Sequence, residues 1–457
     1  MMKTNRKNVY VWCTLLACLV LFAASCATKS DAYKDIDNMV LMNEFGLGIE
    51  AIQKGQEGKK PLYPEKNAIS LFLDKGLLEH YAGNYANSSN DLQEAERLIG
   101  EAFTQSVTAG IASYIANDNT KDYAGEDFED IYINIFNALN FHNEGKTDEA
   151  LVEIRKLTYS SGKLDMLAQK YGEADSSAAA DTMAQLASLG FNDLEIPEKK
   201  STSFGDSALA RYLSALFFLG EGNRDSARIE FERVRTAFAA NSEIYHQEFP
   251  KSVADAQAVP AGKARLNVVG FTGLSPIKEE QIIAQNFPFF SAEILRTPQF
   301  KIPVLAKRPS KIDRVEVSVG SEKFNLELLE DIGAVITETY NARFSSVFFK
   351  TYLRVLLKYA TTDIAYRIAT DQGGWVALGA LAAAIAAKIT IDATEGADIR
   401  MSRYLPDRAY VGGINLDPGN YDVTVQFYSG GELVSTEEHN VNLKANALNL
   451  IEGVNLQ

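Results

Sequence analysis

The sequence predicts an α+β chain that is mainly α. A solenoid of helical hairpins comes first, then a mixed α/β segment, then a small sandwich-like β module at the C-terminal end. Three observations carry this. From about Ile36 to Phe287 apolar residues recur at helical spacing, interrupted by Gly, Pro and Ser clusters. After residue 263 short β-branched runs take over, and from Ala409 onward apolar and polar residues alternate. With 457 residues, 46% apolar and 23% charged, the chain can bury a sizeable core and is not of disordered composition. Its formal charge of -15 argues against non-specific binding to nucleic acid or to anionic lipid.

Lys3, Arg6 and Lys7 precede an uncharged, mostly apolar run from Val9 to Phe22, and Ala23-Ala24-Ser25 leads into Cys26. Residues 1–25 therefore read as a secretory signal with small residues at the cut. The segment resembles the lipobox of bacterial lipoproteins, with Ala23 where that family prefers Leu. The resemblance implies a cut between Ser25 and Cys26, a diacylated Cys26 thiol and an acylated amine, which anchor the body to the membrane without any basic patch. Ala27 rather than Asp after the cysteine implies sorting to the outer membrane. Cys13 and Cys18 leave with the signal, so Cys26 is the only cysteine of the mature chain. That excludes an internal disulfide, a Cys-based zinc site and a thiol nucleophile. Three basic residues and no acid leave too, which takes the formal charge from -15 to -18.

Residues 26–37 are small and polar and read as a lipidated tether; 38–262 read as the helical domain. Within it, Ala138, Phe141, Gly145, Ala150 and Ile154 share one set of offsets with Ala215, Phe218, Gly222, Ala227 and Phe231. Gly76, Gly83, Ser88 and Leu92 repeat the pattern, with Glu79 at the aromatic position. The pattern resembles the tetratricopeptide helix-turn-helix. In that repeat a small residue lets two helices approach, an aromatic packs between them, Gly turns the chain, and a second small residue seats the return helix. The three units are 62 and 77 residues apart, wider than the ~34 of a tight array. Extra helices at Ser106–Ile115 and Lys163–Leu189 are expected to fill the gaps.

Residues 263–327 read as a small mixed segment. Strands are expected at Arg265–Gly270, Phe300–Leu305, Arg314–Val319 and Lys323–Leu326, with turns through FTGLSPIKEE and at Gly320-Ser321. Residues 328–396 read as helical, with Ile332, Val335, Ile336, Thr339, Phe348, Tyr352, Val355, Leu356 and Tyr359 on one face. The Ala-rich run Trp375–Ala387 spans only ~20 Å as a helix, short of the ~30 Å hydrocarbon core, and is expected to be buried against its predecessor. A partner-facing or membrane-dipping helix is the alternative. Residues 397–457 read as the C-terminal β module, with YDVTVQFY and ELVSTEEHNVNL paired across Gly430-Gly431. Its entry, Leu416-Asp417-Pro418-Gly419-Asn420-Tyr421, resembles that of small envelope β-sandwich modules.

Taken together, DKGLLEHYAGNYANSSNDLQEAERL, ALNFHNEGKTDEALVEIRKL, FKIPVLAKRPSKI and ADIRMSRYLP followed by LDPGNYDV resemble a group of bacterial tetratricopeptide-repeat-like envelope lipoproteins of poorly characterised function. That group places an Asp-x-Arg pair before Leu-Pro, here Asp398, Arg400, Leu405 and Pro406, with Tyr404 where Trp is expected. The resemblance implies a lipid-anchored envelope protein and carries no activity. Asp398 and Arg400 are the polar pair singled out, as a structural ion pair and loop clamp or, failing that, a ligand site.

No strong catalytic pattern is present. His80, His142, His246 and His439 are scattered and none lies in HExxH, and no GxSxG occurs. Ser207 reads as the start of a helix from Ala208. Gly262-Lys263 ends like a P-loop, but Gln257 and Ala264 break the motif. The carboxylate pairs Glu279-Glu280 and Glu330-Asp331 read as solvated faces, and Asp127, Glu129 and Asp130 as a helix start. No cofactor, metal or enzymatic activity is expected. The reading is an envelope scaffold or adaptor that binds protein partners through its hairpins. A regulator or assembly factor of a cell-wall synthase or export machine is the alternative, and a glycan hydrolase comes third.

Overall fold

A computed structural model describes residues 32–108, 121–158, 163 and 206–457. Ser25, Cys26 and most of the two gap-filling helices expected from sequence lie outside the described residues. Ser106–Thr108 do not begin a new helix; they end a long one.

Helix α1 covers 32–41, inside the stretch expected to be a tether. The tether reading is corrected from residue 32 onward: Ile36 and Val40 are buried in the main core, and Asp37 pairs with Arg403 at 2.6 Å. Helix α2 (Phe45–Gly55) follows, and then, among the described residues, three hairpins: α3 (Ala68–Tyr81) with α4 (Tyr85–Thr108), α5 (Asp127–Asn143) with α6 (Thr147–Thr158), and α7 (Ala208–Gly220) with α8 (Arg224–Ala240). All three turn in the same way. Gly83, Gly145 and Gly222 have φ of +77°, +74° and +82°, a region that favours glycine. Each first helix ends in paired hydrogen bonds that satisfy its last carbonyls, as in Gly83 N to His80 O with Asn84 N to Glu79 O. The same pair recurs at Gly145–Lys146 and Gly222–Asn223.

The predicted small residues lie at the helix contacts. Ala138, Ala150, Ala215 and Ala227 are buried, as are Ser88, Phe141 and Phe218. A Cβ on Gly76 would stand 2.8 Å from Leu92, so only glycine lets α3 reach α4. Consecutive hairpins touch through α4 on α5 and α6 on α7.

A short helix α9 (Lys251–Ala256) leads to ten strands: β1 (Ala264–Leu274), β2 (Ile277–Ala284), β3 (Gln299–Ala306), β4 (Arg314–Val319), β5 (Glu322–Asn325), β6 (Glu327–Asp331), β7 (Pro406–Leu416), β8 (Gly419–Ser429), β9 (Glu432–Leu443) and β10 (Asn449–Asn455). One sheet runs β10-β1-β7-β6, a second β5-β4-β8-β9, and β2 pairs only with β3. This corrects the boundaries expected at 263–327 and 397–457, which do not separate two units. β1 lies between β7, antiparallel with Val268 opposite Gly412, and β10, parallel with Val268 opposite Ile451. β4 joins β8, with Val317 opposite Val425. β2 and β6 were expected as turn and helix start; their pairing partners are distant in sequence, a signal that local pattern does not carry.

The helices and first sheet share one core, in which Phe136 of α5 meets Phe271 of β1 at 5.3 Å between ring centres. Every residue of β1 is buried, as expected of a strand covered on both faces. Residues of both four-stranded sheets, among them Val268, Val317, Val425 and Ile451, make a second core. A third surrounds Phe287, Phe300 and Tyr352, where the β2–β3 ribbon meets α10 (Ile332–Thr370) and α11 (Gly374–Thr394). The expected burial of the Ala-rich helix is also corrected. α11 is 21 residues long and only Ala380, Ala384 and Ile391 are buried, because its alanines seat one narrow face on α10 and leave the rest outward.

Candidate functional site

The described residues hold a cleft of about 780 Å³ between the α7–α8 turn, the 256–263 segment, the start of β1 and the 446–448 turn. Local sequence builds each wall. Ser207 caps α7 by accepting a hydrogen bond from Ala210 N at 3.1 Å, and Asn223 caps α8 by accepting one from Ser226 N. Gly220 lets the end of α7 approach the last turn, since a Cβ there would lie 2.8 Å from that of Leu448. The floor is apolar, with Leu219, Phe231 and Leu448.

The cleft's charge is one-sided. Arg224, Arg228, Lys263 and Arg265 line it and, among the described residues, no acidic residue does, although the chain as a whole is strongly acidic. Arg224 and Arg228 are exposed on the first turns of α8, and no carboxylate pairs with either among the described residues. Lys263 meets Asp417 at 2.8 Å in an exposed pair, which solvent weakens. Arg265 is buried. Its guanidinium donates to Asn267 Oδ1 at 3.1 Å and Ser252 O at 3.2 Å, both neutral acceptors, and burial pulls its pKa below the usual arginine value. A buried cation without a bonded counter-charge favours an anion entering beside it. Gly262 and Lys263, singled out as a failed P-loop, stand here, but a strand follows them, so no helix N-terminus is presented behind the lysine.

The Asp398–Arg400 pair lies elsewhere, in the loop after α11. Arg400 grips Asp398 through both Nε and NH2, at 2.8 and 2.7 Å, and donates to Lys121 O at 2.7 Å and Lys66 O at 3.2 Å. It also stacks over Tyr123. Burial would raise the Asp398 carboxyl, but the Arg400 hydrogen bonds and charge outweigh it and hold the pKa below its ordinary value. The next residues are fastened too. Arg403 N and Ser402 Oγ donate to the buried Asp74 of α3, and Ser402 N donates to the buried Glu129 of α5. The geometry is a clamp that ties the loop to the helices. Arg400→Ala is expected to lower stability by about 2 kcal/mol in urea unfolding, with Arg400→Lys recovering only part, since an ammonium cannot reproduce the two-pronged contact.

Two buried groups were missed in the sequence. Glu330, expected on a solvated face, has no exposed surface: it accepts from Tyr132 Oη at 2.7 Å, Tyr245 Oη at 2.8 Å, Ser207 Oγ at 2.9 Å and Leu209 N at 3.2 Å. Its neighbour Asp331 caps α10 through Ala334 N. His80 Nδ1 faces Asn140 Oδ1 at 2.7 Å and Nε2 faces Glu452 Oε2 at 3.0 Å. Burial raises Glu452, but the charge of His80 and its hydrogen bond pull it below its ordinary value. No sequence motif joins residues 80 and 452, because the contact exists only once β10 docks on the hairpins. Glu279 remains exposed. Among the described residues no three His, Cys, Asp or Glu side chains converge to hold a metal ion. In comparisons with known proteins, the chain matches no family model, no curated protein and no solved structure.

Proposed function

We propose that this chain is a lipid-anchored scaffold of the cell envelope, probing its surroundings with tetratricopeptide-like hairpins and capturing an acidic, partly apolar segment of a partner protein in the basic cleft. The observation that carries the reading is the cleft itself: four cations over an apolar floor in an acidic chain. A carboxylate-rich segment would neutralise Arg265, gain hydrogen bonds from Arg224 and Arg228, and bury apolar side chains on the partly exposed Leu219 and Leu448. The identical glycine turns and small-residue contacts of the three hairpins support the repeat reading. The core shared by both four-stranded sheets supports a sandwich-like platform behind them. The interleaving of 264–331 with 406–457 favours an adaptor over a regulator with a separable effector module.

The test is capture. A photo-crosslinking residue at Arg228, on intact envelopes, is expected to trap a protein partner, whereas the same residue at exposed Ile229 gives little product. Arg224→Glu with Arg228→Glu is expected to weaken binding of that partner by at least roughly tenfold and to remove its salt dependence. Equal labelling at both positions overturns the cleft as the site. In the same cells, Cys26→Ala is expected to move the body to the soluble fraction, and retention on membranes overturns the acyl anchor.

A further inference from the structure

Among the described residues, nothing covers the outward apolar surface of helix α11. Trp375 is 88% exposed, and Val376, Leu378, Leu381, Ile385 and Ile389 stand outward with it. From Gly373 to Ala387 there is no charged residue. The buried residues Ala380, Ala384 and Ile391 occupy one narrow side. At 100° per residue the outward apolar face covers roughly 220° of the helix circumference, about twice the stripe that one packed helix fills. A second copy or a partner helix would leave much of that arc in water. A fluid hydrocarbon surface would not.

The surrounding charges fit the same occupant. Residues 332–396 hold six basic and five acidic side chains, so this hairpin escapes the acidity of the rest of the chain and is not repelled by an anionic leaflet. The first charge after the apolar run, Lys388, is closed off by Asp392 at 2.8 Å, Tyr359 Oη at 3.0 Å and Thr297 O at 3.0 Å. Arg367 of α10, paired with Asp363 at 3.2 Å, and Asp371 just past its end lie near the same end as Trp375. Driving that tip into hydrocarbon would drag them along. The helix is therefore oriented to lie flat, its ~31 Å length along the head-group boundary and α10 behind it on the water side.

We propose that α11 is a lipid-contact helix that seats the body in the plane of a bilayer surface, independently of the acyl anchor and of the basic cleft. Because the chain has two tryptophans, Trp12 and Trp375, the variant Trp12→Phe leaves Trp375 as the sole indole of the full chain. On vesicles of phosphatidylethanolamine and phosphatidylglycerol, Trp375 emission is expected to shift to the blue and to fall roughly twofold when brominated lipid is included. Adding Leu378→Glu, Leu381→Glu and Ile385→Glu at exposed positions should leave the far-ultraviolet circular dichroism unchanged and return the emission to its water-like value. Protein that sediments with vesicles while Trp375 stays unquenched overturns this proposal and leaves the acyl anchor standing. Blue-shifted emission without lipid, together with a dimer in analytical ultracentrifugation, overturns it in favour of a second copy.

Discussion

Glu330→Ala is expected to cost about 4 kcal/mol of unfolding free energy, read as a lower urea midpoint with an unchanged slope. The magnitude follows from what the carboxylate holds. Four donors converge on it from α5, the start of α7 and the segment after α8, while the glutamate itself is on β6. Removing it strands three hydroxyls and one amide in a site without exposed surface, each short of a partner, and opens a cavity besides. Burial pushes the Glu330 pKa up, and the surrounding donors oppose the shift without cancelling it. Glu279→Gln, at an exposed position, should change stability by less than about 0.5 kcal/mol. Equal effects at the two positions would remove Glu330 as the weld between hairpins and sheet.

Thermal stability is expected to rise as pH falls from 8 to 5.5, a range in which unperturbed surface carboxylates hardly titrate. Burial pushes Asp74 up to about 6 and Asp407 up to about 6, and burial with the charge of Glu126 pushes Glu129 up to about 7. Each folded-state value lies above its unfolded one, so the folded protein holds the proton more tightly. The stabilisation is complete below the unfolded values and is lost as pH rises through about 6 and then 7. Across pH 8 to 5.5 the three groups together contribute on the order of 3 kcal/mol. Below about pH 4.5 the trend reverses. Glu96, Asp398 and Glu452 have lowered values, with Glu96 at about 2 under the charges of Lys163 and Lys156 despite its burial, and protonating them forfeits stability. Calorimetry should give a maximum melting temperature near pH 5, and Glu129→Gln should flatten the slope between pH 6 and 8. A melting temperature that is flat or falling from pH 8 to 5.5 would sink this account.

How much of this was legible in the sequence follows from how local each signal is. The hairpin turns were legible because a glycine past the end of one apolar-periodic run, followed by polar residues and a second run, needs only a dozen neighbours to be recognised. The strands β1, β3, β4 and β5 and the helix face from Ile332 to Tyr359 were legible for the same reason. Sheet order was not: β10 lies beside β1 although the two are far apart in the chain, and nothing in VNLKANALNL names its partner. The four cations of the cleft come from α8, the start of β1 and the loop before it, and no spacing rule joins them. Asp398 and Arg400 could be singled out as a pair, but their grip on Lys66 and Lys121 is tertiary. α11 misled because alanine reads as core in composition, while a single flanking helix can cover only one side of it.

The position of β10 has a consequence for the order in which this chain acquires structure. Each helical hairpin closes over a few dozen residues and can form as soon as that stretch is free. The first sheet has no such freedom. β1 keeps one bare rim, with its amide and carbonyl groups unanswered, until residues 449–455 arrive and dock alongside it. During that wait the rim is open to any passing extended peptide. A ribosome that stopped short of residue 449 would release a product with sound hairpins and an adhesive flank, which places the molecule's chief aggregation hazard in its unfinished form.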